Sequence, residues 1–330
     1  MQISIITPAY NAERFLDSTI ESVRSQTIGD WEMIVVDDGS SDRTRSIVAG
    51  YADCDARIRA VTNAGNRGVA AARSNGFAQA APESEYILFL DHDDLLYPDF
   101  LSTSVKALNT ATGAVGVHCL TRQTDLEGKP VGASGGTVMC VDRRKVINRS
   151  IVSVDRTEPT TFETLICDCC IPTPSAALIR RSALEAAILP GGILFDETVG
   201  VGNDWDLWLR LSVQGHFEFI DSILLDWRQH DSNGSRDAAA MQSAELAVRR
   251  KFAAMAQLLE SRRSDAAWRY GRARASYVRR RARGLLKSAR TSAGNGDWRA
   301  ALRLARDGAG EYAGYLLARG SASGADRGAL

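Results

Sequence analysis

Long apolar runs are missing from this sequence. Nowhere among its 330 residues does one reach the roughly 20 residues that a membrane-spanning helix needs, which argues against an integral membrane protein. Nothing basic precedes the opening Met1-Gln2-Ile3-Ser4-Ile5-Ile6, so the start lacks the layout of a secretory signal peptide and a cytoplasmic chain is expected. Cysteine is sparse, at six, as suits a reducing compartment. Cys167, Cys169 and Cys170 sit together, but Cys-x-Cys-Cys is not zinc spacing and no His lies beside it. Small buried hydrophobes are the plainer reading of that cluster, against a metal or redox centre. No Gly-x-Gly-x-x-Gly follows the first apolar segment, which disfavours a dinucleotide-binding dehydrogenase. No Gly-rich loop ends in Lys-Ser/Thr, which disfavours a P-loop nucleotide triphosphatase.

Net charge is also absent, with 40 Lys and Arg against 40 Asp and Glu. The zero hides an asymmetry. From Arg236 onward there are 20 basic and 8 acidic residues, and before it 20 basic and 32 acidic. Two regions with different work are expected: residues 1–235 and a basic region 236–330. Composition is otherwise that of a soluble globular protein, 45% hydrophobic and 24% charged.

The first ~110 residues alternate strand and helix with short connections. The pattern predicts strands at Ile3–Thr7, Trp31–Asp37, Ile58–Thr62 and Tyr86–Leu90. Helices are predicted at Ala12–Gln26, Asp42–Asp53 and Asn66–Ala80. Continuously apolar strands separated by helices mean a mostly parallel sheet covered on both faces. Further on, strands are expected at Val115–Leu120, Thr137–Val141, Phe217–Ile220 and Leu224–Trp227. Helices are expected near Pro98, at Arg180–Ile188 and at Asp204–Val213, with a Gly-rich turn over Gly128–Gly136. Beyond Arg236 the Ala-, Leu- and Arg-rich pattern predicts long helices to about Arg290, another at Asp297–Asp307, and a frayed Gly320–Leu330.

Ligands of a parallel α/β sheet bind at the carboxyl ends of its strands. Those ends carry Thr7-Pro8-Ala9-Tyr10-Asn11, then Asp37-Asp38-Gly39-Ser40, then Asn63 with Asn66-Arg67-Gly68, then Asp91-His92-Asp93-Asp94. An aromatic, acids and amides on one rim suit a planar base and a ribose. Carboxylates one residue apart in extended chain point the same way. They can hold Mg²⁺ or Mn²⁺, which takes few protein carboxylates and completes its shell with phosphate oxygens. The competing reading makes Asp93 or Asp94 a helix cap or a solvated acid; the position after an apolar strand favours metal. An EF-hand is excluded because its mid-loop Gly and closing Glu are absent.

These residues resemble glycosyltransferase family 2, inverting enzymes of the GT-A fold. The likeness runs through Thr7-Pro8-Ala9-Tyr10-Asn11, Val35-Val36-Asp37-Asp38-Gly39-Ser40-Ser41-Asp42, Asn66-Arg67-Gly68, Ala72-Arg73-Ser74-Asn75-Gly76 and Leu90-Asp91-His92-Asp93-Asp94. Pro172-Thr173-Pro174-Ser175, Phe195-Asp196-Glu197 and Asp204-Trp205-Asp206-Leu207-Trp208 are similar to the family's acceptor half, so the resemblance covers about residues 1–235.

It implies a GT-A catalytic domain, with residues 1–110 as the nucleotide half and 111–235 as the acceptor half. It implies transfer from a nucleotide sugar, UDP-linked by preference, to a glycan or lipid-linked hydroxyl in cell-surface polysaccharide synthesis. Pro8 and Tyr10 would flank the base, Asp38 would bond its edge, and Arg73 would lie near it. Asp91 would meet the ribose or the metal, Asp93 would ligate the Mn²⁺ or Mg²⁺, and His230 would approach the metal or diphosphate. Asp204 would be the catalytic base. The family's Glu before that base is Asn203 here, and a helix N-cap is the alternative role for the Asn203–Asp204 pair.

Two other classes compete. A sugar nucleotidyltransferase would need a basic Gly-rich loop that Thr7–Arg14 does not offer. A catalytically inactive nucleotide-sugar binder draws on Asn203 and is opposed by the intact Asp91, Asp93 and Asp204. The basic region points to peripheral contact with an anionic membrane or a partner; a solvated helix face is the alternative, and nucleic acid is disfavoured for want of a motif.

Overall fold

The computed structural model describes residues 2–132, 137–147, 150–231 and 233–260. The helices expected beyond Glu260, the Arg279–Arg283 run, Gly135 and Gly136 lie outside these. By contacts the chain divides into Met1–Arg144 with Ser153–Phe252, and Lys145–Val152 with Ala253–Leu330.

The N-terminal part is built of β1 (Ile3–Ala9), α1 (Leu16–Arg24), β2 (Trp31–Asp37), α2 (Thr44–Cys54), β3 (Ile58–Thr62), α3 (Val69–Gln79) and β4 (Tyr86–Phe89). Then come β5 (Leu95–Leu96), α4 (Phe100–Thr110), β6 (Ala114–Thr124), β7 (Val138–Met139), β8 (Arg144–Ile147) and β9 (Ser150–Ser153). After these follow α5 (Phe162–Leu165), β10 (Ala177–Arg180), α6 (Arg181–Ala186), α7 (Asn203–Ser212), β11 (His216–Arg228) and α8 (Ala238–Glu260).

Every residue of β1, β2 and β4 is buried, as strands covered on both faces require. The helices cover them with apolar stripes; on α1, Leu16, Thr19, Ile20 and Val23 are the buried residues. The main sheet has 9 strands in the order β3-β2-β1-β4-β10-β6-β11-β5, with β7 beside β6. Pairing is parallel from β3 to β4 and between β6 and β11. β10 runs antiparallel between β4 and β6 and joins the two halves into one sheet. This is the expected α/β architecture. β8 and β9 form a separate 2-stranded sheet.

Several boundaries differ from expectation for local reasons. α3 starts at Val69 rather than Asn66, because Arg67 and Gly68 donate their amides to the Asp38 carboxylate instead of opening a helix. α1 starts at Leu16, after a turn in which the Ala12 amide is held by Thr44 Oγ1 at 2.7 Å. The two strands expected near the end of the sheet are one, β11, whose register slips around Ile220, Ile223 and Leu225. β10 is too short to show periodicity and follows a 3-10 turn at Pro174–Ala176, so the sequence pattern passed over it. Among the described residues no helix is long and apolar enough to cross a membrane.

Candidate active site

The parallel register places the strand ends level. Ala9 lies opposite Asp37, and Asp37 opposite Thr62. The Asp38 amide donates to the Ala9 carbonyl at 2.8 Å, and the Asn63 amide to that of Asp37 at 2.9 Å. Tyr10 is 46% exposed on this rim, next to Asn11 in the left-handed region at φ 48. Pro8 is buried, and its carbonyl meets His92 Nδ1 at 3.1 Å.

Asp38 is buried and fully engaged. It accepts from Asn63 Nδ2 at 2.6 Å, the Arg67 amide at 3.0 Å and the Gly68 amide at 2.8 Å. Gly39 permits that closeness. Its φ is +80, and a Cβ there would stand 2.9 Å from the backbone of Gly65.

A second cluster gathers at the end of β4. Arg73 of α3, 5% exposed, donates Nη2 to Asp91 Oδ1 at 2.6 Å and Nη1 to Asn203 Oδ1 at 3.3 Å, with its guanidinium 5.4 Å from the Phe195 ring centre. Asn203 also donates to the Gly200 carbonyl at 2.9 Å. One arginine thus connects the end of β4 to the start of α7. Thr173 Oγ1 stands 3.3 Å from Asp91 Oδ2 and 3.2 Å from Asp94 Oδ2, and the Asp91 amide donates to Ser175 Oγ at 3.0 Å.

Asp93 and His230 form a pair, Oδ2 to Nε2, at 2.7 Å. Burial pushes against the Asp93 charge, but the His230 hydrogen bond and the positive surroundings hold its carboxyl below the ordinary value. The His230 ring stacks on Phe15 at 4.5 Å, and Asn233 Nδ2 adds a contact to Asp93 at 3.3 Å. Asp94 has no exposure; burial first, then Asp93 and Asp91, push its carboxyl well above the ordinary value.

Among the described residues no group of three or more His, Cys, Asp or Glu could hold a metal ion. Asp93 and His230 supply two adjoining donors, one anionic. That set does not make a closed structural site. The two could hold a hard cation only by giving up the hydrogen bond between them and with further ligands from a bound molecule or water.

Asp204 stands in the first turn of α7, partly buried. Burial raises its carboxyl to about 6; Arg73 and the Trp205 amide oppose the rise, and Asp91 adds to it. The Trp205 amide, one residue on, donates to this carboxylate at 2.6 Å; the N-cap of α7 is Gly202, without a side-chain cap, so the cap alternative for Asn203 and Asp204 does not hold. Asp206, two residues on, pairs instead with Arg210 at 2.9 Å.

Arg73, Asp91, Asp93, Asp204 and His230 are therefore gathered around the end of β4, whereas Pro8, Tyr10 and Asp38 line the neighbouring strand ends. Sequence reasoning gave no part to Thr173, Ser175, Phe15, Phe195 or Asn233. Arg228 of β11 donates to the backbone carbonyl of Asp93 and, at 2.7 Å, to Ser18 Oγ.

The comparisons with known proteins bear on this arrangement. Residues 4–187 match the sequence profile of Glycosyl transferase family 2. The putative teichuronic acid biosynthesis glycosyltransferase TuaG of Bacillus subtilis is 40% identical over 104 residues, which is 32% of this chain and 40% of that one. The UDP-Glc:alpha-D-GlcNAc-diphosphoundecaprenol beta-1,3-glucosyltransferase WfgD of Escherichia coli is 33% identical over 157 residues, 47% of this chain and 60% of that one. The chain thus spans about half the length of the curated relatives it matches. Among solved structures, the mannosyltransferase PcManGT of Pyrobaculum calidifontis, in complex with GDP-Man and Mn²⁺, superposes with a TM-score of 0.58 at 19% identity. The match covers 93% of this chain and 79% of that one, and shows the shared fold.

Proposed function

Because the chain belongs to glycosyl transferase family 2, we propose that it moves a sugar from a nucleoside-diphosphate sugar, UDP-linked by preference, to a hydroxyl of a glycan or lipid-linked acceptor, with inversion. The observation that carries this reading is Asp204. It is a carboxylate poised at about 6, at the start of the helix that Arg73 ties to Asp91. The names of two relatives support it: WfgD is a glucosyltransferase named for UDP-glucose and a diphosphoundecaprenol-linked acceptor, and TuaG for teichuronic acid biosynthesis. Cell-surface polysaccharide synthesis is the process we assign.

Pro8 and Tyr10 frame the nucleobase. Asp38 recognises its edge, in part by building the turn at Asn66–Gly68. Arg73 lies near the base, and Asp91, held by Arg73, faces the ribose. Asp93 and His230 would hold Mn²⁺ or Mg²⁺, which supplies charge neutralisation to a departing diphosphate; the presence of Mn²⁺ in the PcManGT complex supports that choice. The acceptor hydroxyl attacks the anomeric carbon in line with the leaving group while Asp204 takes its proton. One displacement inverts the centre, and a product with retained configuration would overturn the scheme.

The test is the melting temperature against UDP, GDP and dTDP, each with and without Mn²⁺. A ligand that binds the native state raises it by mass action. UDP with Mn²⁺ is expected to give the largest rise. Equal shifts from all three nucleotides, or none from any, would count against the assigned rim.

A further inference from the structure

Opposite the face of α7 that presents Asp204 lies a group of four charges, Asp206 and Arg210 buried and Asp196 and Lys251 half-buried. Asp206, with no exposure, accepts from Arg210 Nε at 2.9 Å and faces Lys251 Nζ at 2.6 Å. Lys251 Nζ also donates to Asp196 Oδ2 at 2.6 Å. Arg210 is spent on the same network and on the carbonyls of Ala187 and Leu194. Two acids and two bases make a neutral set. Burial opposes the Asp196 charge, but Lys251 and Thr198 hold its carboxyl down at about 2.

The position of these residues along the chain gives the network its consequence. Asp196 caps the 3-10 turn Glu197–Gly202 through the Thr198 amide at 2.9 Å. That turn contains Gly200 at φ 63, outside helical geometry, and runs directly into Asn203 and Asp204. A single ammonium therefore grips both ends of the segment 196–206, and Asp204 lies between the grips. The helical backbone of the segment is interrupted at Gly200.

Lys251 comes from α8, which is seated against the same place. A Cβ on Gly202 would stand 3.2 Å from both Ala244 and Val248. Arg249 lies 4.9 Å from the Trp205 ring centre. Ala244, Val248 and Phe252 are buried at helical spacing, and all of α8 lies beyond the 4–187 that match the family profile.

We propose that Lys251 is a positioning residue for the transfer reaction: by clamping Asp196 and Asp206 it holds Asp204 at its place against the Arg73–Asp91 pair. The inference rests on the reading of Asp204 as the base. A base displaced by about 1 Å loses on the order of 10²-fold in rate, so a remote lysine can matter to chemistry without touching substrate.

The experiment compares the native chain with Lys251→Met, Lys251→Arg and the charge-balanced Asp196→Asn/Lys251→Met. Amide hydrogen exchange is read by peptide. Hydrolysis of UDP-glucose, UDP-GlcNAc and GDP-mannose is read with Mn²⁺, alongside UDP affinity. In Lys251→Met the peptide over 196–206 should lose protection while peptides from β1 and β4 keep theirs. Donor hydrolysis should fall about tenfold or more with UDP affinity within about twofold, and Lys251→Arg should restore both. Unchanged protection at 196–206, or faster exchange everywhere, overturns the proposal. If Lys251→Met does not fold, the charge-balanced variant is read by the same criteria. Unfolding of that one too means Lys251 holds the domain and not the base, which also overturns it. Loss of protection at 196–206 with no donor hydrolysis by the native chain counts against the transfer reading and leaves the clamp standing.

Discussion

Asp204 has two separable consequences. As a base it must be ionised, so turnover should climb with pH through about 6, where burial has placed its carboxyl. Asp204→Asn should cut turnover by about 10²–10⁴-fold while UDP affinity stays near native; equal loss of both in steady-state kinetics and calorimetry would assign a structural role. As a buried acid, it binds its proton more tightly folded than unfolded. The favourable linkage is complete below about pH 4 and is lost as pH rises through about 6. Asp204→Asn should therefore be more stable than the native chain above pH 6, by about 1–3 kcal/mol, and no more stable below pH 4. Urea melts at both pH values check this. His230 offers a second residue-scale test. His230→Ala removes one of the two adjoining donors, so the Mn²⁺-dependent part of the UDP melting shift should vanish and the metal-free part remain. A shift that keeps its full Mn²⁺ dependence would place the cation elsewhere.

At the scale of elements, the start of α3 is set by Asp38. Its carboxylate takes the Arg67 and Gly68 amides that an earlier helix start would have used differently. Asp38→Ala should destabilise the chain by about 1–2 kcal/mol, in the lower range for unpaired amides because water reaches this turn, and should weaken UDP binding more than tenfold if the turn shapes the base site. Denaturant midpoints and titration separate the two effects. The sequence revealed β1, β2, β3 and β4 nearly to the residue because each is a short apolar run between turn residues. It did not reveal β10, whose Ala177–Arg180 gains strand character only by pairing with β4 and β6. The helix start at Asn66 failed for a related reason: three amides and one distant carboxylate made a better local solution than helix propensity.

At the scale of the whole molecule, the uneven charge is the remaining lever. The 20 basic residues from Arg236 on should draw the chain to anionic vesicles in low salt and release it in high salt; co-sedimentation of the full chain, and of one lacking residues 261–330, checks it, and equal recovery of the two rejects the idea. Alternation of apolar strands and helices revealed the parallel strands β1 to β4, and with them which loops share one edge, because both depend on local periodicity. Contacts across long separations did not show in that way. Arg73 reaches Asn203, His230 reaches Asp93, and Lys251 reaches both Asp196 and Asp206. No spacing rule encodes such pairs, since they exist only once the antiparallel insertion of β10 and the seating of α8 have brought the two halves of the chain together. Burial, which raised Asp204 to about 6 and pushed Asp94 up beside Asp93, is likewise a property of the packed fold and not of the residue.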